Sequence, residues 1–114
     1  MQIELTKTAD VANGWSCRVA NGHEANGTHL QGYATASYDR LVELLGPCID
    51  GDVEDKVTTE WVLVFTGPNG EREVATLYDW KEYSLRCRRA KRYDWHVGGM
   101  SKRAVTLVTQ LLAG

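Results

Sequence analysis

The stretch that most constrains this chain runs from residue 56 to residue 80 and reads as two strands joined by a turn. Residues 56–66 alternate, with Val57, Thr59, Trp61, Leu63 and Phe65 on one face. Gly67-Pro68-Asn69-Gly70 is turn chemistry. Residues 71–80 then return with Val74, Thr76, Tyr78 and Trp80 on one face. Pairing Thr66 with Glu71 makes the two faces coincide, so that Trp61, Leu63, Phe65, Val74 and Tyr78 form a core face. The other face carries Val62, Val64, Ala75 and Leu77, with Glu60 and Asp79 toward one end. A hairpin apolar on both sides must be covered twice, by a second layer of this chain, by a partner or by another copy in a homodimer.

Two helices supply one of those covers. After a strand over residues 29–36, Ser37 is placed to cap a helix in which Tyr38, Leu41, Val42 and Leu45 recur at helical spacing before Gly46-Pro47 stops it. Ser101 caps a second, with Ala104, Val105, Leu107, Val108, Leu111 and Leu112 in one stripe. Residues 81–100 show no clear periodicity. At the other end, Val-Ala-Asn-Gly occurs at 11–14 and again at 19–22, and a further Asn-Gly follows at 26–27. Because Asn-Gly favours tight turns, short strands are expected near 2–7 and 15–20, followed by a loop. The prediction is an α+β fold, an antiparallel β-sheet with two amphipathic helices packed on one face. The 114 residues make a single domain, 1–28 being an Asn-Gly-rich β-hairpin extension and 29–114 the α+β core.

Composition narrows the class. An apolar share of 43% with 25% charged residues excludes a disordered chain and a disulfide-dense miniprotein. Three widely spaced cysteines, Cys17, Cys48 and Cys87, read as free thiols of a reducing cytoplasm. No apolar run is long enough for a membrane span, and the first residues are not a signal peptide. The net charge of −2 hides a split: residues 1–79 hold 5 basic and 13 acidic side chains, whereas residues 80–103 hold 8 basic and 2 acidic.

Catalytic patterns are weak. His23, His29, His96 and the cysteines lack metal-ligand spacing, and no nucleophile motif occurs. Gly98-Gly99 before a capped helix could offer N–H groups to an anion, but such a turn is usually just a connection. Glu60 and Asp79, diagonal in the register above, could form an acid–base pair, and equally an ordinary solvated strand end. No catalytic residue, metal or cofactor is therefore expected.

The strongest internal pattern is aromatic. The chain has four Trp and five Tyr against one Phe, a skew toward rings with polar handles. Tyr78-Asp79-Trp80 recurs as Tyr93-Asp94-Trp95, and the basic run 86–92 lies between the copies. Trp, Tyr and Arg dominate interface hot spots, and aromatics beside arginines also bind single-stranded nucleic acid. The expected contact residues are Trp80, Tyr83, Arg86, Arg88, Arg89, Arg92 and Trp95. A bland reading competes: Tyr78 and Trp80 in the core, Trp95 anchoring a loop, and the arginines solvated or paired with the acidic stretch 50–55.

The wording of three segments, Lys56-Val57-Thr58-Thr59-Glu60-Trp61, Ala75-Thr76-Leu77-Tyr78-Asp79-Trp80-Lys81 and Tyr93-Asp94-Trp95-His96-Val97-Gly98-Gly99, resembles small accessory proteins of tailed bacteriophages, particularly those of actinobacteria. The resemblance spans roughly residues 33–112. It implies a phage accessory protein acting in the host bacterial cytoplasm. With no catalytic constellation in the sequence, the reading is a non-enzymatic protein that binds a host protein or ribonucleoprotein, inhibition of a defence system such as CRISPR included. Two alternatives stand beside it. One is a single-stranded nucleic-acid binder acting through residues 80–96. The other is a nucleotide or small-ligand protein with Tyr78, Asp79, Trp95 and His96 around a pocket near Gly98-Gly99, and His96 as its acid–base group.

Overall fold

The computed structural model describes residues 8–51, 56–81 and 85–113. In chain order the strands are β1 (Thr8–Asp10), β2 (Ser16–Ala20), β3 (His29–Ala36), β4 (Ile49–Asp50), β5 (Thr59–Thr66), β6 (Arg72–Tyr78) and β7 (Tyr93–Gly99). The helices are α1 (Tyr38–Leu45), the short α2 (Arg86–Arg89) and α3 (Arg103–Ala113). All described pairings are antiparallel, in the order β1-β2-β5-β6-β7-β3, while β4 pairs with the start of β5. The fold is α+β, as expected. The strand expected near 2–7 lies outside the described residues.

The hairpin forms in a different register. Thr66 pairs with Arg72, and Trp61 with Leu77. The Gly67 N–H donates to the Glu71 carbonyl, and Gly70, at φ +85, donates to the Gly67 carbonyl. Gly70 thus closes the loop through its left-handed conformation, with Thr66 facing Arg72 where the sequence pattern alone pairs it with Glu71. One residue of slip moves the whole return strand to its other face. Ala75 and Leu77 therefore join Trp61, Leu63 and Phe65 in the core, and Val74, Thr76 and Tyr78 face the opposite side.

The stretch without periodicity holds a central strand. β7 inserts between β6 and β3, and its Tyr93, Trp95 and Val97 are buried on the same face as Trp61 and Leu77. Gly98 and Gly99 lie inside this strand, so they do not form a turn that could receive an anion. A Cβ on Gly99 would stand 2.5 Å from the Ala104 Cβ, which makes that glycine the seat on which α3 rests.

Both long helices cover the core face. Ser37 caps α1 by accepting from the Arg40 N–H at 3.0 Å, and Ser101 accepts from the Arg103 N–H at 3.2 Å. Leu41 and Leu45 of α1 and Ala104, Leu107, Val108 and Leu111 of α3 pack into one cluster with Trp61 and Trp95. Each indole N–H is satisfied: Trp61 donates to the Gly46 carbonyl and Trp95 to the Ala36 carbonyl.

Among the described residues, the second face is covered over only part of its width. Between β2 and β3 the chain crosses the sheet on the side away from the helices, through a 3-10 turn at Gly22–Ala25. Ala20 and Ala25 pack on Val62, Val64 and Val74 there. Glu24 is tied to Arg72 and Arg18, fastening the crossing to strands on both sides. The first residues therefore extend the main sheet through β2 and then shield half of its back.

Candidate functional site

Beyond that crossing, no described residue covers the back of the sheet over the end of β6, β7 and β3. Strand alternation determines what stands there. Tyr78 is opposite His96, and His96 is opposite Tyr33. Their ring centroids lie 5.2 and 4.9 Å apart in turn across the three strands. Trp80, just past β6, reaches the same cluster at 6.2 Å from His96. Tyr33 is 56% exposed, Leu30 45% and Trp80 42%, so a continuous aromatic surface faces solvent.

Three adjoining depressions share Trp80. The largest, about 560 Å³, is lined by Tyr33, Thr35, Trp80, Arg86, Arg92, Tyr93, Asp94 and His96. A second, about 520 Å³, is formed by Leu30, Tyr33, Tyr78, Trp80 and His96. The third runs past Glu60, Tyr78 and Gly98. Lys56 sets its ammonium 5.8 Å from the Trp80 ring centroid. Asp94 accepts from the Thr35 hydroxyl at 2.5 Å.

Burial shapes the electrostatics of this floor. It pulls the His96 imidazole below its ordinary value, against the opposing attraction of Asp79. His96 Nδ1 is buried and has no hydrogen-bond partner among the described residues. Glu60 is pushed up by burial and by the nearby Asp79. Tyr78 is also raised, by burial first and then by Glu60 and Tyr33.

The expected contact residues separate. Trp80, Arg86 and Arg92 meet in the largest depression, and Arg89 is exposed. Tyr83 lies outside the described residues. Trp95 does not reach the surface: it is fully buried, edge-on to Trp61 at 5.5 Å. Arg88 turns inward. It donates to the Thr59 hydroxyl, the Thr58 carbonyl and Asp50, and stacks on Tyr38 at 5.3 Å. Pairing of the basic run with the acidic stretch thus holds for Arg88 and Asp50. Beside it Cys87 is buried, its thiol 3.8 Å from Asp79 and from Thr59.

The other candidate groupings do not converge. Tyr78 and His96 face the open side, whereas Asp79 and Trp95 are buried, so those four residues line no common pocket. Glu60 pairs with Tyr78, and Asp79 faces the core side, where Thr58 and Thr59 occupy its carboxylate. That removes the diagonal acid–base pair. Among the described residues no group of three or more His, Cys, Asp or Glu is arranged to hold a metal, and no helix is long and apolar enough to cross a membrane.

Sequence reasoning missed Tyr33, Leu30 and the outward facing of Tyr78. The signal was Tyr33 standing out of phase with Ala34 and Ala36, which took the core face. No protein-family model, curated protein or solved structure matches the chain.

Proposed function

We propose that this chain is a non-enzymatic binding protein of bacteriophage origin that engages a host macromolecule in the bacterial cytoplasm. A defence complex such as CRISPR is the kind of target its phage-like wording implies. The observation that carries the reading is the open half-face, where Tyr33, Tyr78, Trp80 and His96 gather beside Arg86 and Arg92 while the rest of that face is shielded by the chain itself. Large exposed rings beside arginines are the composition of binding hot spots. Contiguous exposed apolar surface rimmed by polar groups marks interaction sites.

The test is affinity capture from actinobacterial lysate with the wild type and with a Tyr33→Ala/Trp80→Ala variant. Both substituted side chains are exposed, so the variant should fold. A protein, RNA or DNA species retained by the wild type and lost by the variant supports the reading. Equal recovery on both, or none on either, refutes it.

A further inference from the structure

We infer that the open face takes single-stranded nucleic acid, with bases stacked on Trp80 and Tyr33 and phosphates met by Arg86 and Arg92. The inference rests on the reading of this face as the binding surface and names its occupant.

Rings are the first argument. Tyr33, His96 and Tyr78 step across three adjacent strands at centroid separations of 4.9 and 5.2 Å, with Trp80 at their margin. An antiparallel sheet face bearing exposed rings can stack unpaired bases, whose π-faces a duplex would hide. Every base has such a face, so a platform of this kind tolerates sequence.

Charge is the second. Arg86 and Arg92 line the same depression as Trp80 and Tyr33, and Lys56 sits against the Trp80 ring. Asp94 also lines that depression and keeps its negative charge while accepting from Thr35, which leaves two guanidiniums against one carboxylate there. Arginine beside aromatic rings is common to protein hot spots and to single-strand binding tracks. Here two guanidiniums and the rings line one depression, so phosphates and bases can be met together.

Continuity is the third. Trp80 is common to three depressions, so the surface forms a track rather than a closed pocket sized for a free nucleotide.

Fluorescein-labelled oligo-dT and oligo-rU, each about 12 nucleotides long, are the probes, since single modules of this kind cover roughly 4–16 nucleotides. Anisotropy should report binding at about 50 mM salt that weakens roughly tenfold by about 200 mM, as expected when two or three phosphates are neutralised. Trp80→Ala and Tyr33→Ala should each weaken binding about tenfold, and Arg92→Glu at least as much. Intrinsic fluorescence should be quenched by the oligonucleotide in the wild type, and much less in the Trp80→Ala variant. Thermal midpoints of the variants verify that they remain folded.

No binding at low salt, a flat salt response, or equal affinity of the wild type and the Trp80→Ala variant overturns the inference. If oligonucleotides fail while nuclease-treated lysate still yields a protein that needs Tyr33 and Trp80, the partner is a protein: the inference falls and the proposed function stands. If the lysate experiment also gives no difference, both fall.

Discussion

Thr58 donates both its backbone N–H and its hydroxyl to the carboxylate of Asp79, at 2.8 and 2.5 Å. Thr59 adds a second backbone N–H at 3.0 Å, and all three residues are fully buried. The carboxylate therefore fastens the end of β6 to the chain entering β5, directly beside the exposed Trp80. Asp79→Ala would orphan two buried N–H groups and a hydroxyl, at a cost of about 3 kcal/mol or more. Asp79→Asn keeps an acceptor for both N–H groups and should lose only about half as much. Urea unfolding measures both, and equal losses would contradict this account.

Arg88 and Lys91 belong to the same basic run but have different work. Arg88 holds Thr58, Thr59 and Asp50 and stacks on Tyr38, whereas Lys91 is exposed. Arg88→Ala should cost about 1–2 kcal/mol, because a buried carbonyl and hydroxyl lose their donor while the exposed Asp50 end is screened by solvent. Lys91→Ala should stay within about 0.5 kcal/mol of the wild type. Matching denaturation midpoints for the two variants would show that the inward hydrogen bonds of Arg88 carry no stability.

The two Tyr-Asp-Trp copies show what a sequence can and cannot tell here. In a strand the outer two residues share a face and the middle one takes the other, but register decides which face is buried. Tyr93 and Trp95 point into the core, whereas Tyr78 and Trp80 point to the open side and Asp79 is buried. That inversion follows from the loop that the left-handed Gly70 closes, which pairs Thr66 with Arg72. The helices were legible because their stripes repeat over several turns and begin at capping serines. β7 was hidden because two glycines and a preceding run of arginines look like loop chemistry. Of the site, Trp80, Arg86 and Arg92 could be read from local crowding. Tyr33 could not, because it comes from a strand distant in sequence that the sheet order brings alongside β7.

Gly99 is required by close approach. A methyl group there would lie 2.5 Å from Ala104 Cβ and 3.2 Å from the Val74 carbonyl oxygen, so α3 would have to lift from the sheet. Gly99→Ala should destabilise the protein by about 1–3 kcal/mol, the usual cost of overpacking. A methyl group added at Gly22 would meet nothing within 4 Å, and Gly22→Ala should be close to neutral. Thermal unfolding of the two variants checks this; a stable Gly99→Ala protein would mean that α3 is seated elsewhere.

His96 gives the open face a pH dependence whose sign can be worked out. Burial holds its folded pKa below the ordinary 6.5, with Asp79 pulling weakly the other way. As pH falls past that ordinary value, the unfolded chain takes up a proton at this position while the folded chain does not. Protons bound preferentially by the unfolded state destabilise the fold. The stability contributed by neutral His96 is thus complete above about pH 6.5 and is lost as pH falls through the lower folded value. His96→Phe keeps a ring between Tyr33 and Tyr78 but cannot titrate. Urea midpoints at about pH 7.5, 6.5 and 5.5 should fall more steeply for the wild type than for the variant, since the carboxylates common to both cancel in the difference. Parallel curves would place His96 in an environment no less hospitable to its charge than water.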